Sequence, residues 1–389
     1  MLRRALMAAA ASDQIRGLLT GTPAARAMVA RYVAGDNASD AVRVARELRA
    51  AGLLVTLDYL GEDTKDALRA AAVRTEYITL LEKLQADGLT ADGAVEVSVK
   101  PTAVGLLLPS SEGAPPRAPQ AGDSAAGERI AFENIERIAA AADAAGTTVT
   151  IDAEDHRTTD ASLRIAGRLR ERYPSVGSVV QASLRRTETD VRALATAGSD
   201  DAPRVRLCKG AYNEPVSEAF TYPHEIDKSF ARCLRVLMEG PGYPMVATHD
   251  PRLVRITAAL GLARDAGSFE YQMLYGIRPD EQARLAASGA RVRVYVPYGD
   301  DWYGYLVRRL AERPASLGLL LRSLYPLGGT RQPPRPPTSA ATVRTPGYAG
   351  GGPGKPPGPP AARQAARSYG RRLASPREDR GSSSADGTV

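Results

Sequence analysis

Short β-rich runs recur along the chain, separated by segments whose apolar positions return every three to four residues. The runs lie at 53–58, 95–100, 147–152, 177–181, 205–209, 245–249, 268–272 and 291–296. Their spacing of about 34 residues matches one strand-plus-helix unit, so the pattern predicts an α/β fold, a (β/α)8 TIM-type barrel, over residues 51–327. Between the runs, segments such as 130–145 place Ile130, Ile135, Ile138 and Ala142 on one helical stripe that can face the barrel wall. Ahead of the first run, residues 1–50 read as an N-terminal helical segment. Asn37, Ser39 and Asp40 offer N-cap oxygens to a helix over 41–50, and Gly52 stops it.

Two stretches break the pattern. Residues 109–127 are rich in Pro, Ser, Gly and Ala with no apolar period, which predicts a loop. From about 328 to 389 the chain is dense in Pro, Gly, Ser and Arg and nearly free of aliphatic side chains. A segment that cannot bury apolar surface cannot offset its ordering entropy, so a disordered tail is expected.

Composition narrows the function classes. With 43% hydrophobic and 24% charged residues the chain is ordinary globular material, and no run reaches the roughly eighteen apolar residues of a membrane span. The net charge of +7 comes with arginines that sit in the tail or alternate with acids, an arrangement that argues against a nucleic-acid partner. Cys208 falls in a strand-like run and Cys233 in a helix-like one, without metal-ligand spacing, which suits a reducing cytoplasm. The apolar stretch near Met1 is soon interrupted by Ser12, Asp13 and Gln14, and reads as a terminal helix, not a leader peptide.

In a barrel of this kind the reactive groups stand where strands end. The runs here finish in Asp58 followed by Glu62, in Lys100, in Asp152 with Glu154, and in Gln181, Lys209, His249, Gln272 and Tyr295. Two lysines, a histidine, amides and paired carboxylates are chemistry, not turn punctuation.

The segments carrying these residues are more specific still. Asp58-Tyr-Leu-Gly-Glu62, Ser98-Val-Lys100, Asp152-Ala-Glu-Asp-His156, Gln181-Ala-Ser-Leu-Arg-Arg-Thr187, Arg206-Leu-Cys-Lys-Gly-Ala-Tyr212, Ala247-Thr-His-Asp250, Tyr271-Gln-Met-Leu-Tyr-Gly-Ile-Arg278 and Tyr305-Leu-Val-Arg-Arg309 stand in this order. Over about residues 20–325 the chain resembles the proline dehydrogenase family, in its monofunctional bacterial form.

The resemblance implies FAD-dependent oxidation of L-proline to Δ1-pyrroline-5-carboxylate, by hydride transfer from C5 to flavin N5, with electrons passed to a membrane quinone. It implies that Lys100, Arg308 and Arg309 bind the substrate carboxylate, a task suited to guanidinium forks. Tyr305 lies three and four residues before the arginine pair and can share their helix face. Tyr212, Leu274, Tyr295 and Tyr305 are implied as pocket walls, and Asp152 as an acid that orients the cations, with Glu154 beside it. Glu62, with Asp58 four residues earlier, is implied as a gate that pairs with Arg308 over bound substrate. The flavin is implied to lie on Gln181, Arg206, Lys209, Gly210, Thr248, His249 and Glu312. No Gly-x-Gly-x-x-Gly opens a first βα unit, so the barrel mouth and not a Rossmann crevice would hold it.

The chain departs from the family at Ser183, commonly tyrosine, at Pro101-Thr102, more usually Leu-Ser, and at Arg313, commonly asparagine. No fused aldehyde dehydrogenase is expected, so a separate pyrroline-5-carboxylate dehydrogenase would take the product. The enzyme is expected in the cytoplasm. Its basic tail is either an anchor to the anionic inner face of the membrane or an extension without function. The rival reading is a metal-dependent barrel hydrolase using the carboxylates and imidazoles of Asp152-Ala-Glu-Asp-His156 and His249-Asp250. Three histidines without His-x-His or His-Glu-x-x-His spacing give it little support, and no metal site is expected.

Overall fold

The computed structural model describes residues 29–61, 64–109, 123–196 and 203–306. The expectations for 1–28, Glu62, 110–122, Arg308, Arg309, Glu312 and the tail therefore lie outside the described residues.

Helix α1 (Ala38–Ala50) leads into strand β1 (Leu54–Tyr59), and strands and helices then alternate. The order is α2 (Ala67–Ala86), β2 (Val95–Val99), α3 (Asp123–Ala144), β3 (Val149–Ile151), α4 (Thr159–Arg170), β4 (Gly177–Gln181), α5 (Thr187–Thr196) and β5 (Arg204–Cys208). It continues through α6 (Pro223–Glu239), β6 (Tyr243–Ala247), α7 (Pro251–Gly261), β7 (Glu270–Leu274), α8 (Pro279–Ala287) and β8 (Val292–Tyr298). The strands pair in sequence order, all parallel, and β8 closes on β1. The expected barrel is present, and each expected run overlaps one strand.

Local chemistry sets the helix starts. Asn37 accepts from the Ser39 and Asp40 amides, Asp66 from that of Arg69 and Asp250 from that of Arg252, while Pro223, Pro251 and Pro279 occupy first-turn positions where no amide is needed. One correction concerns 109–127. Helix α3 begins at Asp123, so the last residues of that stretch are helical, Gly127 included. A Cβ on Gly127 would stand 2.1 Å from the Leu106 carbonyl oxygen, so glycine here permits close helix packing and does not mark a loop. The buried stripe of α3 is Ala131, Ile135, Ile138 and Ala142, with Ile130 only half buried.

The strands follow a period of two with an inverted sense. Val55, Leu57, Val95, Val97, Val99, Val149 and Ile151 face outward and are buried against Val73, Leu80 and Leu84 of α2 and Ile135 and Ile138 of α3. On the far side Val205, Leu207 and Val246 meet Phe230, Cys233 and Leu234 of α6. Each such aliphatic side chain contributes on the order of 2 kcal/mol, so the helix-to-sheet layer is the hydrophobic core. The inward positions, where barrels usually carry branched aliphatics, hold Thr56, Asp58, Glu96, Ser98, Thr150, Arg206, Glu270, Gln272 and Arg293, all buried. Cys208 and Cys233 are free thiols.

Candidate active site

Polar side chains cannot be stacked in a barrel without partners, and the inward residues form two tiers. The upper tier lies at the carboxyl ends of the strands. Lys100, just after β2, sets its Nζ 2.5 Å from Asp58 Oδ2 of β1 and 3.5 Å from Asp152 Oδ2, which follows β3. It also donates to the Tyr295 hydroxyl of β8 at 3.3 Å. Asp152 is held from three sides. Its Oδ1 accepts from Ser98 Oγ at 2.6 Å and Arg206 Nη1 at 2.7 Å, and its Oδ2 accepts from the Tyr295 hydroxyl at 2.7 Å. Arg206 of β5 lies 5.2 Å from the Tyr295 ring centroid and donates through Nε to Gln272 Oε1 of β7 at 2.5 Å.

Two carboxylates share Lys100, and only Asp152 also has a guanidinium. Burial pushes the Asp152 carboxyl up, but Lys100 and Arg206 together overcome this and hold it below its ordinary value. Asp58 goes the other way. Burial dominates and the Asp152 charge adds to it, so the Asp58 carboxyl is pushed up to about 6 despite Lys100. Burial, then the same two carboxylates, raises the Tyr295 phenol well above its usual range and keeps it a donor.

A neighbouring sector gathers the ends of β4, β5 and β6. Gln181 donates through Nε2 to the Glu154 carbonyl at 2.6 Å. Lys209 lies 2.5 Å from Asp227 Oδ1 and 3.1 Å from Asp250 Oδ2, and Arg252 pairs with the same two acids. The Asp250 amide donates to Thr248 Oγ1 at 3.1 Å, which ties Thr248 to that cluster. His249 Nε2 accepts from the Leu274 amide at 2.9 Å, so in the neutral ring the proton is on Nδ1. Gly210 has φ 97, and a Cβ there would meet Ser183 Oγ at 2.2 Å.

The structure thus brings Lys100, Asp152, Arg206 and Tyr295 into one network, with Asp58 beside Lys100. Asp58 belongs to strand β1 and is buried. Leu274 is half buried at the end of β7, Tyr212 is half buried in the loop after β5, and Tyr305 is buried among Tyr32, Leu60 and Ile277. The Glu154 carboxylate is engaged elsewhere: it accepts from the Thr102 amide at 2.9 Å and the Thr102 hydroxyl at 2.5 Å, tying down the turn after Lys100.

Sequence reasoning assigned no role to Ser98, Gln272 or the Asp227 and Asp250 clamp. It also passed over a lower tier. There Glu96 accepts from Arg204 at 2.6 Å and Thr56 at 2.8 Å, and Glu270 accepts from Arg293 at 2.7 Å, Gln272 at 2.6 Å and Tyr243 at 3.1 Å. The signal was present as every-second-residue polarity in Glu96-Val-Ser98-Val-Lys100, Arg204-Val-Arg206 and Glu270-Tyr-Gln272.

Among the described residues no group of three or more His, Cys, Asp or Glu side chains is placed to hold a metal ion. Of the groups the hydrolase reading would use, His156 meets Glu214 at 2.5 Å and Asp152 is taken up by cations.

Comparison with known proteins bears on the same span. The family model described as proline dehydrogenase matches residues 41–320. Proline dehydrogenase 1 of Bacillus subtilis is 34% identical over 296 residues, 76% of this chain and 89% of its own. Proline dehydrogenase of Deinococcus radiodurans is 34% identical over 300 residues, with the same coverage of 76% and 89%. Among solved structures, proline utilization A from Bdellovibrio bacteriovorus inactivated by N-propargylglycine superposes with a TM-score of 0.66 at 24% identity, over 79% of this chain and 34% of that one. Proline utilization A from Bradyrhizobium japonicum gives 0.60 at 20% identity, over 78% of this chain and 32% of that one. This chain spans about a third of those two proteins, and the likeness shows the shared barrel. A charged network at a barrel mouth, a family model over most of the chain and relatives matched over nearly their whole length lead to one assignment: the chain belongs to the proline dehydrogenase family.

Proposed function

We propose that the protein oxidises L-proline to Δ1-pyrroline-5-carboxylate: the hydride on C5 would go to N5 of a bound FAD, the amine proton to solvent, and the electrons onward to a membrane quinone. The observation that carries the reading is the buried network in which Lys100 and Arg206 flank Tyr295 at the mouth of the barrel.

The residues at the ends of β4 to β6 fit such a cofactor. Gln181, Arg206, Lys209, Thr248 and His249 form a donor-rich set of amide, guanidinium, ammonium, hydroxyl and imidazole groups. Cationic and amide donors suit a diphosphate and the edge of a ring system that gains negative charge on reduction. At Gly210 the backbone comes so close to Ser183 that no side chain can project there.

For the substrate, Lys100 with Arg308 and Arg309 clamps the carboxylate, and Asp58 behind Lys100 holds its ammonium in place. Asp152 fixes Arg206 and Tyr295 relative to each other. Tyr212, Leu274, Tyr295 and Tyr305 wall the pyrrolidine ring, Glu62 closes over it by pairing with Arg308, and Glu312 adds to the cofactor site. A separate pyrroline-5-carboxylate dehydrogenase consumes the product. No helix among the described residues is long and apolar enough to cross a membrane, so contact with the quinone is peripheral in this reading. Anaerobic addition of L-proline to the purified protein tests it: the yellow flavin absorbance bleaches. A colourless protein, or one whose colour proline leaves unchanged, overturns it.

A further inference from the structure

The underside of Arg206 is held by an amide with a defined direction. Arg206 Nη1 faces Asp152 and Ser98, Nη2 is buried 3.8 Å from Glu96 with no hydrogen bond among the described residues, and Nε donates to Gln272 Oε1. A glutamine amide can sit either way round, and turned over it would point N–H groups at N–H. Glu270 forbids that orientation, because its Oε1 accepts from Gln272 Nε2 at 2.6 Å and can only accept. The carboxylate is itself fixed by Arg293 through Nε at 2.7 Å and Nη2 at 3.2 Å, and by the Tyr243 hydroxyl at 3.1 Å. All of these groups but Tyr243 are buried, and Glu270 completely so, which limits competition from water.

We infer that Gln272 and Glu270 are positioning residues: Glu270 sets the direction of the Gln272 amide, and that amide fixes the plane of the Arg206 guanidinium at the reaction centre. The geometry stands by itself, and only its kinetic consequence rests on the proposed oxidation chemistry.

The first measurement needs neither flavin nor substrate. In the purified protein the 15N-linked Nε–H proton of Arg206, assigned by its loss in Arg206→Lys, exchanges with solvent far more slowly than that of an exposed arginine. Exchange of every arginine Nε–H at the free rate overturns the proposal even if no variant folds. In Gln272→Leu the protection disappears, and kcat for proline oxidation falls about tenfold or more while KM stays within about twofold, the size expected for one hydrogen bond to a charged group. Glu270→Gln keeps the volume but no longer compels the Gln272 oxygen to face Arg206, and it shows the same loss of protection and of kcat. Unchanged protection and kcat in either variant overturns the assignment. A wild-type protein that shows the protected proton but ignores proline overturns the proposed oxidation instead.

Discussion

Asp58 and Asp152 are both buried carboxylates beside Lys100, and what separates them is Arg206. Asp58 therefore binds a proton more readily in the folded protein than in the unfolded chain. A raised folded value means a contribution to stability that is full below about pH 4 and is lost as the pH rises through about 6. Asp152, held below its ordinary value, contributes above about pH 4 and loses that contribution as the pH falls through its lower folded value. Chemical unfolding of wild type and Asp58→Asn from pH 4 to 7 separates the two: the stability of wild type relative to the variant falls as pH rises. A flat difference refutes the assignment. Lys100→Met removes the shared cation. In the proposed clamp it weakens proline binding by about tenfold or more, the loss expected with one charged hydrogen bond, while the protein stays yellow. Retained affinity in flavin-reduction titrations would remove Lys100 from the clamp.

At the scale of elements, much of this was legible. The β-rich runs placed every strand to within two residues, because the β-branched and aliphatic side chains that meet the helices are concentrated in them. Lys100, Asp152 and Tyr295 could be picked out as strand-end chemistry, while Arg206 came only with the family resemblance. Which carboxylate faces which cation could not, since that depends on register between strands such as Thr56 against Glu96 and Asp58 against Ser98. Glycine was the other weak point. Read as a loop marker, Gly127 concealed the start of α3, whereas the structure uses it for close approach. The same distinction gives opposite outcomes for two substitutions. Gly276 has φ 72, and a Cβ there would lie 1.9 Å from the Arg31 carbonyl oxygen, so Gly276→Ala destabilises by about 2 kcal/mol or more. Gly167 sits inside α4 with open space around its Cβ direction, and Gly167→Ala stabilises by about 0.5–1 kcal/mol. Thermal melts that move both variants the same way would show that Cβ space is not what decides.

At the scale of the whole barrel, an interior filled with charge makes closure depend on pairing. Below the upper tier Glu96 and Glu270 are balanced by Arg204 and Arg293, all but Arg204 fully buried. Burial alone would push both glutamates toward the neutral acid, but the arginines overcome it and hold both below the usual range, so both are ionised at neutral pH. Arg293 is also a structural tie. It belongs to β8, reaches Glu270 of β7, and donates to the carbonyl of Val55 in β1 at 2.9 Å and to that of Gly93 before β2 at 3.2 Å. One side chain therefore spans the seam where the last strand meets the first. Removing one partner of such a pair strands the other in a site without water, which costs about 3–5 kcal/mol, whereas removing both strands neither. Glu270→Leu and Arg293→Leu should each lower stability by about that amount in chemical denaturation, and the double variant should lose clearly less than the two losses added. Additive losses would mean that the two residues support the barrel independently, with Arg293 acting through the seam carbonyls alone.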